Sequence, residues 1–290
     1  MKKPEIIKTA SRMQAVSQKA RRSGKRIAFV PTMGYLHQGH LALVKKARRY
    51  GNIIVASIFV NPAQFGPDED LNRYPRDFEG DRKKLASVGV DYIFYPSPAE
   101  IYPPGYQTYI EVENLSKGLC GDFRPGHFRG VATVVAKLFN IVQPDFAVFG
   151  EKDFQQLKVI ERMVKDLNFP VKIIGHKTVR EKDGLAMSSR NSYLSPGERK
   201  AAASLSRALF AAQAIVRSGE RSPQILIDKA RELIRDGSDA RIDYIEVRSA
   251  DTLEPVVEID RPCQMLLAVR QGRTRLIDNI RLNLKNSNRG

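Results

Sequence analysis

The chain has 290 residues, with 48 Lys and Arg against 32 Asp and Glu and a formal net charge of +16. That length can enclose a sizeable core in two domains, and a composition 42% hydrophobic and 28% charged excludes both a disordered chain and a small stapled scaffold. Two cysteines, Cys120 and Cys263, supply neither a disulfide framework nor a metal cluster. No apolar run approaches the ~20 residues of a membrane span, and the opening MKKPEIIKTA lacks the apolar stretch of a signal peptide. A cytoplasmic protein with no membrane partner is expected.

Short apolar runs at 26–30, 52–60, 91–95, 145–149 and 171–176 predict buried strands. Amphipathic stretches at 39–50, 77–88, 128–142 and 154–167 predict helices between them. Strand and helix alternating at this spacing give a parallel sheet covered on both faces, a doubly wound, Rossmann-like α/β domain over residues 1–182. Ligands of such sheets bind outside the carboxyl ends of the strands, so the loops just after each strand are the informative ones.

After residue 179 the pattern changes. Residues 180–192 (REKDGLAMSSRNS) are polar and read as a connection. Ser195-Pro196-Gly197-Glu198 forms a capping box at the start of an alanine-rich helix to residue 216. A second helix at 223–234 and strands at 242–247, 264–269 and 275–280 complete a smaller α+β domain over 183–290, ending in a polar tail at 285–290.

Four of the post-strand loops carry chemistry. The first is Met33-Gly34-Tyr35-Leu36-His37-Gln38-Gly39-His40, which enters a helix expected to begin at Gly39 or His40. Free amide hydrogens at that helix start attract an anion, and the two imidazoles can donate to phosphate oxygens as their charge grows. Next, Asn61 and Gln64 in NPAQFG offer amides to a hydroxyl or a carboxylate. After the fourth strand comes Gly150-Glu151-Lys152-Asp153, where the glycine admits a ligand to the backbone and Lys152 reaches phosphate. Asp153 there suits a ribose hydroxyl, a metal or a helix cap. In the connection, Met187-Ser188-Ser189-Arg190 groups two hydroxyls, consecutive amides and a guanidinium into a phosphate-binding set that a mobile loop can close. A further loop, 121–130 (GDFRPGHFRG), fits an anion contact and a structural turn equally well.

His-x-Gly-His after a first strand is similar to the nucleotide-binding signature of the superfamily that includes class I aminoacyl-tRNA synthetases, and AMSSR occupies the place of their Lys-Met-Ser-Lys-Ser loop. PTMGYLHQGH, FVNPAQFGPDEDLNRYPRD, GLCGDFRPGHFRGVATVVAKLFNIVQPDFAVFGEKDFQQL, DGLAMSSRNSYLS and TRLIDN lie in order from residue 31 to residue 279. Together they resemble the pantoate-β-alanine ligase family. The resemblance implies ATP with Mg2+, a pantoyl-adenylate intermediate, and release of AMP and pyrophosphate as β-alanine is joined to pantoate. It implies His37 as proton donor and His40 as its assistant at the phosphates. Residues Met33 to His40, Gly150 to Asp153 and Val179 would lie along the nucleotide, with Met187 to Arg190 over the phosphates. Lys152 and Arg190 would offset charge on the departing pyrophosphate, while Gln64 would contact pantoate and β-alanine and Gln156 would bind pantoate. A homodimer is implied as well.

The positive charge favours anionic partners without choosing among them. One alternative reading is a nucleotidyltransferase of the same superfamily that retains AMP on an acceptor, against which the pairing of Gln64 with Gln156 speaks. Another is an RNA-binding module, but no aromatic-rich nucleic-acid motif accompanies the basic residues, so no nucleic-acid partner is expected.

Overall fold

The computed structural model describes residues 3–236 and 239–283, and the polar stretch expected as a tail at 285–290 lies outside the described residues. The chain forms two compact units, Met1–Glu151 with Gln156–Thr178 and Lys152–Gln155 with Val179–Gly290.

In the first unit the chain runs β1 (Glu5–Ile7), α1 (Ala10–Arg22), β2 (Ile27–Thr32), α2 (Gln38–Ala47), β3 (Ile53–Ile58), α3 (Phe78–Ser87), β4 (Tyr92–Phe94), α4 (Pro98–Ile101), α5 (Cys120–Phe123), α6 (His127–Val142), β5 (Phe146–Gly150), α7 (Phe154–Asp166) and β6 (Lys172–His176). The strands form one six-stranded sheet in the order β1-β4-β3-β2-β5-β6, with every pairing parallel. Its strands are continuous apolar runs because both faces are covered. Ala28 and Val30 share a core with Val44 and Ala47 of α2 and Leu85 of α3. Ile27 and Phe29, which point the opposite way, are equally buried.

Four elements of this unit, β1, α1, α4 and α5, are absent from the sequence-based expectation. β1, α4 and α5 are only three or four residues long, and the buried face of α1 is Met13, Ser17 and Ala20, a single large apolar residue beside one polar and one small one, which leaves little periodic signal. Ser17 is buried for a reason sequence does not display: its hydroxyl donates to the Val142 carbonyl at the end of α6, at 2.6 Å.

The second unit contains α8 (Pro196–Ala202), α9 (Ser204–Arg217), α10 (Pro223–Arg235) and the antiparallel sheet β7 (Arg241–Ser249), β8 (Cys263–Gln271), β9 (Thr274–Leu282). Leu205, Leu209 and Val216 of α9, Leu226 and Ile234 of α10, and Met265, Leu267 and Val269 of β8 fill its core. The capping box at Ser195 is present, with the Glu198 carboxylate accepting from the Ser195 amide at 2.8 Å. The helix expected to run unbroken to residue 216 is interrupted at Ala203. The Ser206 hydroxyl donates to the Ala203 carbonyl at 3.1 Å, competing with the helical ladder for that acceptor.

Candidate active site

Sheet order reverses at β2, which has β3 on one side and β5 on the other. This is the topological switch point where an open α/β sheet leaves a crevice beyond its carboxyl ends. Thr32 ends β2, its hydroxyl donating to the Ser57 carbonyl at 2.7 Å and accepting from the Gly34 amide at 3.2 Å. The turn that follows needs two left-handed residues, Gly34 (φ 86°) and Tyr35 (φ 50°). For tyrosine this conformation costs on the order of 1–2 kcal/mol. Asp81 of α3 offsets that strain: its buried carboxylate accepts from the amides of Tyr35 and Leu36, each at 2.7 Å. One turn on, Lys84 donates to the Leu36 carbonyl at 2.8 Å.

Burial pushes the Asp81 carboxyl above the usual carboxylate range, and Asp77 adds to this, while the Leu36 and Tyr35 amides and the Lys84 ammonium pull it down. Asp81 was not singled out from sequence. An Asp followed by Lys three residues on reads as a solvated helix face, and only the packing of α3 against the loop shows otherwise.

The turn delivers His37 as the N-cap of α2, which begins at Gln38, one residue ahead of the expected start. The His37 Nδ1 accepts from the Gly39 amide at 3.2 Å, and the His40 Nδ1 accepts from the His37 amide at 3.3 Å, a capping box made of two imidazoles. Their ring centroids are 4.1 Å apart. Because each Nδ1 is an acceptor, the neutral rings carry their protons on Nε2, which makes Nε2–H the donor. Across the switch point, β2 pairs with β5 as Phe29↔Ala147. Continuing that register sets Thr32 opposite Gly150, the start of the other candidate loop. A Cβ placed on Gly150 would meet nothing within 4 Å, so there is room at its backbone. The Glu151 carboxylate lies against Gly175 of β6.

Gln64 ends a 3-10 turn, Pro62–Gln64, and is buried. Its amide is oriented at both ends. Asn61 Nδ2 donates to Gln64 Oε1 at 3.1 Å, and Gln64 Nε2 points to the Met33 sulfur at 3.1 Å. Asn61, expected to face a ligand beside Gln64, is instead spent on support. Its Nδ2 also reaches the Gly130 carbonyl, and its Oδ1 accepts from the Ala63 amide and, at 2.8 Å, from the Tyr102 hydroxyl. The loop at 121–130, open between an anion contact and a structural turn, acts here as a turn. Arg124 makes a two-pronged pair with Glu69 at 2.7 and 2.6 Å, and His127 Nδ1 donates to the Gln64 carbonyl at 2.9 Å. Gln156 is half-buried on α7.

In the second unit, Lys152 and Asp153 precede α7 and are half-buried. The Lys152 carbonyl accepts from Asn279 Nδ2 of β9 at 2.7 Å. The stretch 180–192, expected to be a bare connection, is a built structure. Val179 accepts from the Met187 amide at 2.9 Å, Arg180 bridges Ala186, and Ser188 caps the 3-10 turn Ser189–Tyr193. Charged and polar side chains order it, which hydrophobic periodicity does not report. Arg180 holds Asp278 through two bonds, at 2.6 and 3.0 Å, while Glu181 joins Arg199 and Asn191. Met187, Ser188 and Arg190 are half-buried, and Ser189 is buried.

A doubly wound sheet whose switch point is flanked by a histidine-capped helix start and an open glycine turn defines a nucleotide-handling enzyme of the His-x-Gly-His class. The family described as pantoate-beta-alanine ligase matches residues 5–281. The chain is 58% identical over 275 residues to the pantothenate synthetase of Syntrophotalea carbinolica, covering 95% of this chain and 97% of that protein. The crystal structure of pantothenate synthetase from Thermus thermophilus superposes with a TM-score of 0.90 at 47% identity, covering 95% of this chain and 98% of that one. The pantoate-beta-alanine ligase of Francisella tularensis, solved in complex with beta-gamma ATP and beta-alanine, gives a TM-score of 0.80 at 33% identity, covering 96% and 97%. The chain belongs to the pantoate-β-alanine ligase family and is an enzyme that joins pantoate to β-alanine to make pantothenate.

Proposed function

We propose that the reaction proceeds in two steps driven by ATP. A carboxylate oxygen of (R)-pantoate attacks the α-phosphorus, the bond to the bridging oxygen breaks, and pyrophosphate leaves. The amine of β-alanine then attacks the acyl carbon of pantoyl adenylate, AMP departs with the bonding pair, and the nitrogen loses a proton. Activation is required because a free carboxylate is a poor acceptor for an amine.

The observation that carries this reading is the pair of Nδ1-accepting imidazoles at the start of α2 beside the switch point. With Nε2–H as donor, His37 and His40 can follow negative charge as it grows on phosphate oxygens, which a ground-state contact alone would not reward. The loop from Met33 to Leu36, with Gln38 and Gly39, supplies the backbone that the nucleotide approaches, joined by Gly150, Glu151, Asp153 and Val179. Lys152 and Arg190 offset charge on the leaving pyrophosphate, with Met187, Ser188 and Ser189 beside them. Gln64, its amide direction set by Asn61, holds pantoate together with Gln156. ATP use is further supported by the ligand of the Francisella relative.

Among the described residues no three His, Cys, Asp or Glu side chains group where they could hold a metal. In this reading Mg2+ enters as part of the Mg-ATP substrate, which suits an ion that keeps its waters and binds phosphates. Among those residues no helix is long and apolar enough to cross a membrane; we place the enzyme in the cytoplasm as a homodimer.

Supplying pantoate, β-alanine and ATP should yield AMP and pantothenate in equal amounts. Pyrophosphate without AMP would instead indicate a nucleotidyltransferase. In single-turnover mixing, His37→Ala should slow adenylate formation by about 10²-fold or more, the scale for loss of one transition-state donor. A near-wild-type rate would remove His37 from the mechanism.

A further inference from the structure

We propose that Asp278 and Asn279, adjacent residues of β9, are positioning residues that hang both phosphate-directed segments of the second unit on a single strand. The proposal rests on the reading of Lys152 and Arg190 given above. The TRLIDN segment that contains the pair carries no role in that reading.

Neighbouring residues of a strand point to opposite faces, so this dipeptide can fasten two different stretches of chain. On one face Asn279 Nδ2 donates to the Lys152 carbonyl at 2.7 Å. The Asn279 amide has one orientation available, because its Oδ1 accepts from Gln264 Nε2 at 2.5 Å. On the other face Asp278 binds Arg180 through both carboxylate oxygens, with its side chain only 1% exposed. Arg180 in turn donates to the Gly184 carbonyl at 3.0 Å, with its guanidinium 5.1 Å from the centre of the Phe210 ring. The turn at 180–184 is thereby tied to β9. Its outgoing arm, which leads to Met187 and Arg190, is registered on Val179 and Arg180.

Stability alone does not account for burying the Arg180–Asp278 pair. Replacing a buried ion pair by packed apolar residues is often neutral or stabilising, whereas a polar pair fixes geometry. A phosphate-binding lysine displaced by about 1 Å can lose up to 10²-fold in rate, and the Asn279 tether holds the backbone carbonyl of that same residue.

The test is a double-mutant cycle on adenylate formation, with KM for ATP and pantoate measured alongside. Asn279→Ala should lower the single-turnover rate ~10-fold or more while leaving the pantoate KM near wild type. In the Lys152→Ala background the same change should add little, because the group it positions is gone. Asp278→Asn should couple in the same way to Arg190→Ala. If Asn279→Ala lowers the yield of folded protein, Asn279→Leu, which keeps the side-chain volume, adds no charge and removes the donor to Lys152, replaces it in the cycle. Multiplicative losses in the double variants, with Lys152→Ala and Arg190→Ala each strongly impaired, would overturn the proposal and leave the mechanism standing. Wild-type rates for Lys152→Ala and Arg190→Ala would overturn the mechanistic assignment itself, and the positioning role with it.

Discussion

The two oxygens of Asp81 set the geometry from which His37 departs, and their consequences can be measured at the scale of one residue. Asp81→Asn turns part of an acceptor into a donor facing two amide hydrogens. It should cost about 1–3 kcal/mol of stability and slow adenylate formation, since the strained turn at Tyr35 loses its anchor. The pH dependence has a definite sign. The folded-state carboxyl lies above its ordinary value of 3.8, so folding favours its protonated form. That contribution is fully present below 3.8 and is lost as pH rises through the raised value. Across that window the wild type should lose stability relative to Asp81→Asn, while its activity, which needs the ionised acceptor, should rise. Melting temperatures of the two proteins over the acid range would check this; a constant difference between the curves would mean that Asp81 titrates as an ordinary surface carboxylate.

At the scale of elements, the decisive contact is between α6 and the 3-10 turn that carries Gln64. A Cβ on Gly130 would stand 2.1 Å from the Ala63 carbonyl oxygen and 2.7 Å from the Gln64 nitrogen, and both are backbone atoms that no rotamer change can move aside. Gly130→Ala should therefore cost about 1–3 kcal/mol, the usual penalty of overpacking, and should weaken pantoate binding more than ATP binding, because the turn it displaces carries Gln64 and not the histidines. Gly150→Ala offers the contrast. With open space at that position, the variant should melt within a degree or two of wild type. Calorimetry on both variants, with KM for each substrate, separates a glycine that serves packing from one that serves a ligand; equal melting temperatures for the two would contradict the close-packing argument.

For the whole molecule the governing quantity is charge. Two copies at +16 each repel, so the proposed dimer must cohere against that repulsion, which salt screens. Raising salt from about 0.1 to 1 M shortens the screening length from ~10 to ~3 Å and should tighten the dimer. Sedimentation equilibrium should give twice the 32.6 kDa chain mass, with the dissociation constant falling as salt rises. A monomer throughout the series would refute the assembly.

What the sequence determined by itself was whatever depends on local pattern. Strands buried on both faces must be apolar along their whole length, so β2, β3 and β5 were legible, and the capping box at Ser195 marked its helix because its chemistry is confined to four residues. The glycine-flanked histidines after β2 were legible for the same reason, as a short motif in a fixed relation to strand and helix. Other features were decided only by tertiary structure, because their partners lie far along the chain. Asp81 looks like any solvated acid until α3 lays it on the amides of Tyr35 and Leu36, 46 and 45 residues away. Asn61 reads as a ligand contact until the fold surrounds it with Gly130 and Tyr102. The polar run from Arg180 to Ser192 reads as a connection until Asp278 reaches it across 98 residues. A buried polar group requires a partner, and which partner it finds is set by the path of the backbone, which no local window contains.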